Sequence, residues 1–347
     1  MHNFKKALGR TIAFLLCVIA ATVVIVEPYF QRQTYYYQDA AVREELSGQL
    51  DYIICGSSHA FRSFVPEILD RDLGCNSYNL AGALMTMQGR YTLLKKEMER
   101  NPISTVVIEL SFNALTRNRD EEGPEGDLYI LGRSDNFFDR ASYFLSAIRL
   151  NEYGRVYYDT LDRGITSWKH WMKGESEELI QYRTKGYSPL FSTDLTLTQE
   201  DYDGLHYSSS FDTRVYEENM EYLEKIFALC EENNAKVIMV TTPIAEINTC
   251  QYDNLDVFRE WYEQLSQEHD CAFYDFNLLK NKDTLFPSAT AFFDPLHLSE
   301  SGAETFSTTF TDIIQRAEAG EDISNLFYNS YVEADAHSIH AQNHISS

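Results

Sequence analysis

The 347-residue sequence predicts a three-layer α/β/α sandwich on a five-stranded parallel sheet, with an N-terminal transmembrane helix and a mainly helical insertion. Three observations support this prediction. Short apolar runs alternate with amphipathic segments of helical spacing, which is the order that builds parallel sheets. One run, "STVVIEL" at 104–110, is uninterrupted, as expected of a strand covered on both faces. A basic N-terminus, "MHNFKKALGR", precedes an uncharged apolar run at 11–26.

The apolar run at 11–26 predicts a signal anchor within residues 1–30. As a helix it spans about 24 Å, and a snorkelling Arg10 helps it to cover the roughly 30 Å hydrocarbon core. A cleaved signal peptide is the alternative, but no small-x-small cleavage motif follows the run. The Lys/Arg bias places the N-terminus in the cytoplasm. We therefore expect a single-pass protein of the cell membrane whose main domain is extracytoplasmic.

The strands of the predicted sheet are short apolar runs separated by helical segments. They lie near 51–55, 75–80, 104–110, 236–242 and 272–276. Gly74 is expected to end the helix that follows the first strand. Before the last helix, Ser301 and Glu304 have the spacing of a capping box.

The alternation of strands and helices stops between the third and fourth strands. Residues 116–215 are polar and aromatic, and we interpret them as an insertion or cap. The sheet domain then comprises 31–115 and 216–318, and the polar tail at 319–347 is predicted to be disordered. The aromatic residues of the insertion could line a glycan groove, but a small core of its own is the simpler interpretation.

Composition excludes several classes of function. The chain has 29 Lys and Arg against 53 Asp and Glu, a formal net charge of −24, which repels nucleic acid. Its six cysteines show no paired spacing, so neither a zinc site nor a disulfide framework is predicted. His337, His340 and His344 could bind a metal ion, but a solvated tail explains them as well. We expect no metal or organic cofactor.

Polar residues with catalytic potential follow three of the predicted strands. The first strand ends at "GSSH", residues 56–59, and the third is followed by Asn113. After the last strand, "FFDPLHLSESG" places Asp294 three residues before His297. Because the carboxyl ends of parallel strands meet at one edge of a sheet, we expect these side chains to lie close together.

These residue types suit acyl transfer through a serine nucleophile. A serine hydroxyl needs a neighbouring base, and an imidazole held by a carboxylate is the usual one. Ser58 would be the nucleophile, His297 the base and Asp294 the group that orients it. The tetrahedral intermediate also needs hydrogen-bond donors for its oxyanion. Candidate donors are the backbone N–H groups of Ser58 and Gly82 and the side-chain amide of Asn113.

Each motif also has a structural explanation. "GSSH" alone fits an ordinary strand-to-loop turn, Gly82 fits a turn glycine, and Asn113 could cap the loop after its strand. His59 is expected to make a structural hydrogen bond, and Arg62 a surface ion pair. The combination of "GSSH" with Asp294 and His297, in this order and at two strand ends, favours the catalytic interpretation.

At these residues the chain resembles the SGNH/GDSL hydrolase superfamily, which has a flavodoxin-like sheet. The family's first block is Gly-Asp-Ser, and Gly56-Ser57-Ser58 stands in its place. The family's last block, Asp-x-x-His, is intact at Asp294 and His297. The resemblance implies that Ser58 is the nucleophile, while Ser57 replaces the usual aspartate.

The other blocks match less completely. Gly82 falls in the second-block position, and the third block, Gly-x-Asn-Asp in the family, reads Ser-Phe-Asn-Ala at 111–114, so only Asn113 remains. The resemblance covers roughly 50–115 and 216–318 and omits the insertion.

A Gly-Ser-Ser block behind one N-terminal anchor is similar to the D-alanine transfer proteins of teichoic acid and to anchored polysaccharide O-acetyltransferases. This resemblance implies an extracytoplasmic serine esterase or O-acyltransferase that acts on an acylated cell-envelope glycan or polymer. A transferase would also need an acyl donor, which a multi-span membrane partner could deliver. The alternative is a catalytically silent, membrane-anchored binding or scaffolding protein with the same fold.

Overall fold

The computed structural model describes residues 2–22, 27–32, 34–134, 137–174, 185–191 and 209–337. The helices, in chain order, are α1 His2–Ala21, α2 Glu27–Gln31, α3 Tyr35–Glu45, α4 Ser58–Ser63, α5 Pro66–Leu73, α6 Met87–Arg100, α7 Arg119–Glu122, α8 Glu125–Arg133, α9 Phe137–Ala147, α10 Tyr153–Met172, α11 Glu217–Glu232, α12 Glu246–Thr249, α13 Leu255–Glu268, α14 Lys282–Leu285, α15 Ser288–Ala291, α16 Glu300–Glu318 and α17 Tyr331–His337. The strands are β1 Tyr52–Cys55, β2 Ser77–Asn79, β3 Thr105–Glu109, β4 Lys236–Thr241, β5 Ala272–Asp275, β6 Phe292–Asp294 and β7 His297–Leu298. Short 3₁₀ helices span Phe276–Leu278 and Ser324–Leu326.

The chain forms two compact units. The sheet unit comprises 46–126 and 181–347, and the helical unit comprises 1–45 and 127–180. The segment before β1 therefore belongs with the middle of the chain, whereas the sequence analysis assigned 31–45 to the sheet domain.

The sheet confirms the five predicted strands. All of its strands are parallel, in the order β2-β1-β3-β4-β5. Its central residues are buried, with Ile54 of β1 beside Val107 of β3 and Val107 beside Ile238 of β4. Strands β1, β3 and β4 are nearly continuous apolar runs, as expected where helices cover both faces of a sheet. Strand β2 instead carries the buried and hydrogen-bonded Ser77 and Asn79.

Helices connect the strands in the way expected of parallel crossovers. Pro66 begins α5, and Gly74 ends it in the left-handed conformation with φ 67°. Helix α5 packs on α16, and α6 packs on α11. The right-handed rule for crossovers places α5 and α6 on opposite faces, because they lead away from β1 and from β2 in opposite directions along the sheet.

Two predicted details differ from the structure of the sheet unit. Helix α16 begins after Ser299, whose hydroxyl accepts a hydrogen bond from Gly302 N at 3.2 Å, rather than at Ser301. The tail is helical at Tyr331–His337, although disorder was predicted from residue 319. Tyr331 is buried, and its hydroxyl donates to Asp275 Oδ2 at 2.7 Å, which fixes the tail beside β5. His340 and His344 lie outside the described residues.

The helical unit has a buried ionic network at its centre. Asp39 Oδ2 lies 3.0 Å from Arg43 Nε and 3.2 Å from Arg133 Nε, and all three side chains are fully buried. Arg43 also donates to the carbonyl oxygen of Arg133. A buried charge without a partner would destabilise the fold. The ion pairs of Asp39 with Arg43 and Arg133 therefore stabilise the contact between α3 and α8.

Helix α1 includes most of the predicted anchor. Its described side chains from Phe4 to Val18 are exposed around the whole helix. Residues 23–26, the end of the predicted anchor, lie outside the described residues. Within the described part of the chain, none of the helices combines the length and apolar character that a bilayer span requires.

Candidate active site

Ser58 occupies the first position of α4, and Gly56 and Ser57 connect it to the end of β1. Ser57 is the N-cap residue, and its hydroxyl accepts a hydrogen bond from His59 N at 3.3 Å. Gly56 allows this tight entry into the helix. A Cβ at position 56 would lie 2.4 Å from Ala60 Cβ and 2.8 Å from Glu109 Cβ, so a side chain does not fit there.

The structure brings Ser58, His297 and Asp294 together. Ser58 Oγ lies 2.9 Å from His297 Nε2, although 239 residues separate the two in the sequence. His297 Nδ1 lies 2.9 Å and 3.0 Å from the two carboxylate oxygens of Asp294. The side chains of His297 and Asp294 are 22% and 40% exposed, so solvent reaches the carboxylate side of this arrangement.

A short antiparallel hairpin of β6 and β7 positions the histidine and the aspartate. Asp294 Oδ1 accepts the backbone N–H groups of Leu296 and His297 at 2.8 and 2.9 Å, which closes the turn through Pro295. The carbonyl oxygen of Pro295 accepts a hydrogen bond from Ala245 N, so the loop after β4 holds the turn in place.

The same contacts set the charge of Asp294. Partial burial raises the pKa of its carboxyl group, but the hydrogen bonds from His297 and from two backbone N–H groups outweigh burial and lower the pKa below its ordinary value. Asp294 is therefore ionised at neutral pH and can stabilise a proton on His297 Nδ1.

Glu109 was not predicted from the sequence, yet it contacts the residue before Ser58. This carboxylate ends β3, is fully buried, and accepts both the backbone N–H and the hydroxyl of Ser57 at 2.8 and 2.9 Å through Oε2. Arg90, also buried, places Nη2 4.0 Å from the same oxygen and donates from Nη1 to the backbone carbonyl of Glu109. The signal in the sequence was a charged residue at the end of the apolar run "TVVIE".

His59 differs from its predicted structural role. Its ring lies 5.3 Å from the ring of His297, centroid to centroid, with a 30° tilt. Among the described residues, no side chain or backbone group forms a hydrogen bond with this imidazole. Burial lowers the pKa of His59 to about 4, so the site holds a second, uncharged imidazole at neutral pH.

The predicted oxyanion donors are arranged differently from one another. Ser58 N–H is in the first turn of α4, where a helix provides no partner for it. The Gly82 N–H instead donates to the carbonyl oxygen of Gly56 at 3.3 Å, which agrees with its structural explanation as a turn residue. Asn113 is exposed, and its side-chain oxygen accepts a hydrogen bond from Ser111 at 3.3 Å. Within the described chain, neither Gly82 nor Asn113 is hydrogen-bonded to the three central side chains.

Other predicted features lie around this site. Arg62 donates to the backbone oxygen and the hydroxyl of Ser188, at 2.9 and 2.5 Å, where a surface ion pair had been expected. Across the described residues, no group of three or more His, Cys, Asp or Glu side chains is arranged to hold a metal ion.

Similarity to known proteins covers part of the chain or is low in sequence identity. A protein-family model matches residues 205–318, a span that includes Asp294 and His297 but less than half of the chain. No curated protein matches the chain. Among solved structures, a Bacteroides fragilis protein described as a "putative acylhydrolase" is similar at 11% identity and a TM-score of 0.38, over 81% of this chain and 94% of that one.

Proposed function

We propose that this chain is a serine-dependent acyl hydrolase or acyltransferase, with Ser58 as nucleophile. The observation that supports this most directly is the continuous hydrogen-bonded arrangement from Ser58 Oγ through His297 to Asp294. The 2.9 Å between Ser58 Oγ and His297 Nε2 suits proton transfer. The 2.9 Å between His297 Nδ1 and Asp294 Oδ2 suits the hydrogen bond that orients the imidazole.

In the first half of the reaction, Ser58 Oγ attacks the carbonyl carbon of an ester, and His297 Nε2 takes the hydroxyl proton. Asp294 stabilises the resulting imidazolium through Nδ1–H. The oxyanion accepts a hydrogen bond from Ser58 N–H. When the intermediate collapses, the bond to the leaving oxygen breaks, His297 returns the proton to that oxygen, and the acyl group stays on Ser58.

In the second half, water or an acceptor hydroxyl gives its proton to His297 Nε2 and attacks the acyl carbon. The ester bond to Ser58 then breaks, and the proton returns to Ser58 Oγ. Water yields hydrolysis, and a hydroxyl of a glycan yields transfer. The imidazole of His59, which bonds no described residue, lies beside His297 and can orient the incoming hydroxyl.

The proposed setting is the outer face of a cell membrane, and the proposed substrate is an acylated envelope glycan or polymer. Two features support it. The part of α1 from Thr11 to Val18 is uncharged and its side chains are exposed, an arrangement that is costly in water and favourable in lipid. The net charge of −24 disfavours polyanionic nucleic acid as a substrate.

Labelling with a fluorophosphonate tests the nucleophile. The native chain is expected to take up one probe at Ser58, identified by peptide mass spectrometry, and Ser58→Ala is expected to take up none. Ser63→Ala is the matched control, because Ser63 lies in the same helix and should leave labelling intact. A folded native chain that stays unlabelled would instead support the silent binding protein.

Acceptor dependence separates hydrolysis from transfer. A transferase is expected to hydrolyse a simple acetyl ester slowly and to release the alcohol faster when an oligosaccharide is added, because the glycan competes with water for the acyl-enzyme. The measurement is alcohol release, with acylated glycan quantified in parallel. Equal rates with and without glycan would identify a hydrolase.

A further inference from the structure

The exposed apolar side chains of this protein are concentrated in the helical unit. Of the 21 large hydrophobic residues that are exposed in the described part of the chain, sixteen lie in 1–45 and 127–180. The sheet unit is more than twice as long and holds the other five. Exposed hydrophobic residues that gather in one part of a protein indicate a contact surface.

Charge is divided between the units in the same way. The sequence of the helical unit contains 12 basic and 13 acidic residues, whereas that of the sheet unit contains 17 and 40. The helical unit is thus close to neutral, and nearly all of the negative charge lies in the other. An anionic lipid surface would repel the sheet unit and accept the helical one.

Helix α9 exposes large apolar side chains on one face. Phe138 and Leu145 are 80% and 68% exposed and, being seven residues apart, lie on the same face of the helix. Tyr143 points inward, where its hydroxyl donates to Asp127 at 2.7 Å. Leu150, in the turn after α9, is 82% exposed and follows the exposed Arg149.

An apolar cavity of about 250 Å³ lies between this face and α10. Its lining includes Phe137, Phe144 and Leu145 from α9 and Tyr157 from α10. Such a cavity suits a hydrocarbon chain, which has no polar atoms to satisfy.

We propose that α9 and the turn after it form a lipid-facing surface that lies in the interface of the bilayer. This surface, defined by Phe138, Leu145 and Leu150, is separate from the predicted N-terminal anchor and rests on the proposed membrane location. The apolar side chains enter the acyl region, and Arg149 meets the headgroups. The bilayer is favoured over a second copy of the chain because the surface shares its unit with α1 and lacks the charge of the sheet unit.

Quenching by brominated lipids tests this surface in the full-length protein. A tryptophan at position 138 (Phe138→Trp) is compared with one at position 332 (Val332→Trp), which is 74% exposed in the sheet unit. Both variants retain the three native tryptophans, so the native chain provides the background. The proteins are reconstituted into vesicles of phosphatidylcholine and phosphatidylglycerol that carry bromine at shallow or deep acyl positions.

The added emission of Phe138→Trp is expected to be quenched by shallow bromines at least twofold more than that of Val332→Trp. Equal quenching of the two would overturn the proposal. So would a Phe138→Trp emission that is shielded from aqueous iodide but insensitive to bromolipid, since that result indicates contact between copies of the chain. Fluorophosphonate labelling is measured on the same samples. If labelling fails while quenching persists, the proposed reaction is wrong and the lipid-facing surface stands.

Discussion

At the scale of single residues, Glu109 determines how Ser58 is positioned. Its Oε2 accepts the hydroxyl of Ser57, so the proton of that hydroxyl points toward β3 and a lone pair is left for His59 N. An N-cap serine must accept from the helix, and the buried carboxylate enforces this polarity. The direction of the first turn of α4, and with it the position of Ser58 Oγ, therefore depends on a residue that forms no hydrogen bond with Ser58.

Replacing Glu109 with glutamine should lower kcat with little change in KM. The two charge-assisted bonds to Ser57 become weaker neutral ones, and a displacement of about 1 Å at a nucleophile can cost roughly 100-fold in rate. The measurement is ester hydrolysis together with the rate of fluorophosphonate labelling.

Glu97→Gln is the matched control for this prediction. Glu97 is also fully buried, but it pairs with Arg100 and Asn101 far along α6 from the turn at Ser57. Both variants should lose thermal stability, and only Glu109→Gln should lose kcat. A Glu109→Gln enzyme that melts earlier but retains kcat would limit Glu109 to a structural role.

At the scale of elements, the sequence predicted a strand or helix correctly where one local residue pattern is enough to specify it. All five strands were located to within two residues at each end, because short segments that lie between stretches of helical spacing suit the strands of a parallel sheet. The start of α16 was displaced by two residues because Ser299 and Ser301 are equally good caps in sequence. The helix at Tyr331 was missed because a polar tail gives no sign of a buried acceptor elsewhere in the chain.

The contact between the tail and β5 predicts a pH-dependent stability. Burial raises the pKa of Asp275 to about 6, so the folded protein holds more protons than the unfolded chain between roughly pH 4 and pH 6. Stability therefore falls as pH rises through this window, and above it the folded state contains a buried carboxylate that relies on Tyr331.

Tyr331→Phe should consequently lower the free energy of unfolding more at pH 7.5 than at pH 4.5. Removing the hydroxyl deprives the ionised form of Asp275 of a donor, a loss of about 1–3 kcal/mol, while the protonated form needs that donor less. Urea unfolding at the two pH values measures the difference. Tyr328→Phe is the control, since its hydroxyl does not bond to Asp275. An equal loss at both pH values would contradict the coupling.

At the scale of the whole molecule, the main feature is that nearly all of the net negative charge lies in the sheet unit. The sequence of the sheet unit contains 40 acidic and 17 basic residues, so repulsion among its carboxylates destabilises the folded unit. Composition alone gave the total of −24, but not its division, because residues 1–45 and 127–180 are distant in sequence and only the fold shows that they form one unit.

Salt should therefore stabilise the protein. Raising NaCl from about 0.02 to 0.3 M shortens the screening length severalfold and weakens repulsion among exposed carboxylates. We expect the melting midpoint to rise by a few degrees, since about 1 kcal/mol moves it by roughly 2–4 °C in a domain of this size. The effect should shrink at pH 4.5, where many carboxylates are protonated. A midpoint that does not respond to salt at pH 7.5 would argue against significant self-repulsion.

The register of β1 against β3 explains why Ser58, His297 and Asp294 were predicted to lie together and the contact of Glu109 was not. Ser58, His297 and Asp294 follow from motifs that are local in sequence. Cys55 pairs with Ile108, so Glu109 comes to lie beside Gly56 only once the two strands are aligned. Residue patterns reveal which strands exist more readily than which residues become neighbours across them.

The contact between Ser57 and Glu109 also constrains which substitutions the protein can accept. An aspartate in place of Ser57 would put a second carboxyl group against the buried Glu109. Two such groups cannot both ionise without a large cost, so one of them would have to keep its proton at neutral pH. Positions 57 and 109 are therefore coupled, and a Ser57→Asp substitution is tolerated better when Glu109 is replaced by a neutral hydrogen-bonding residue.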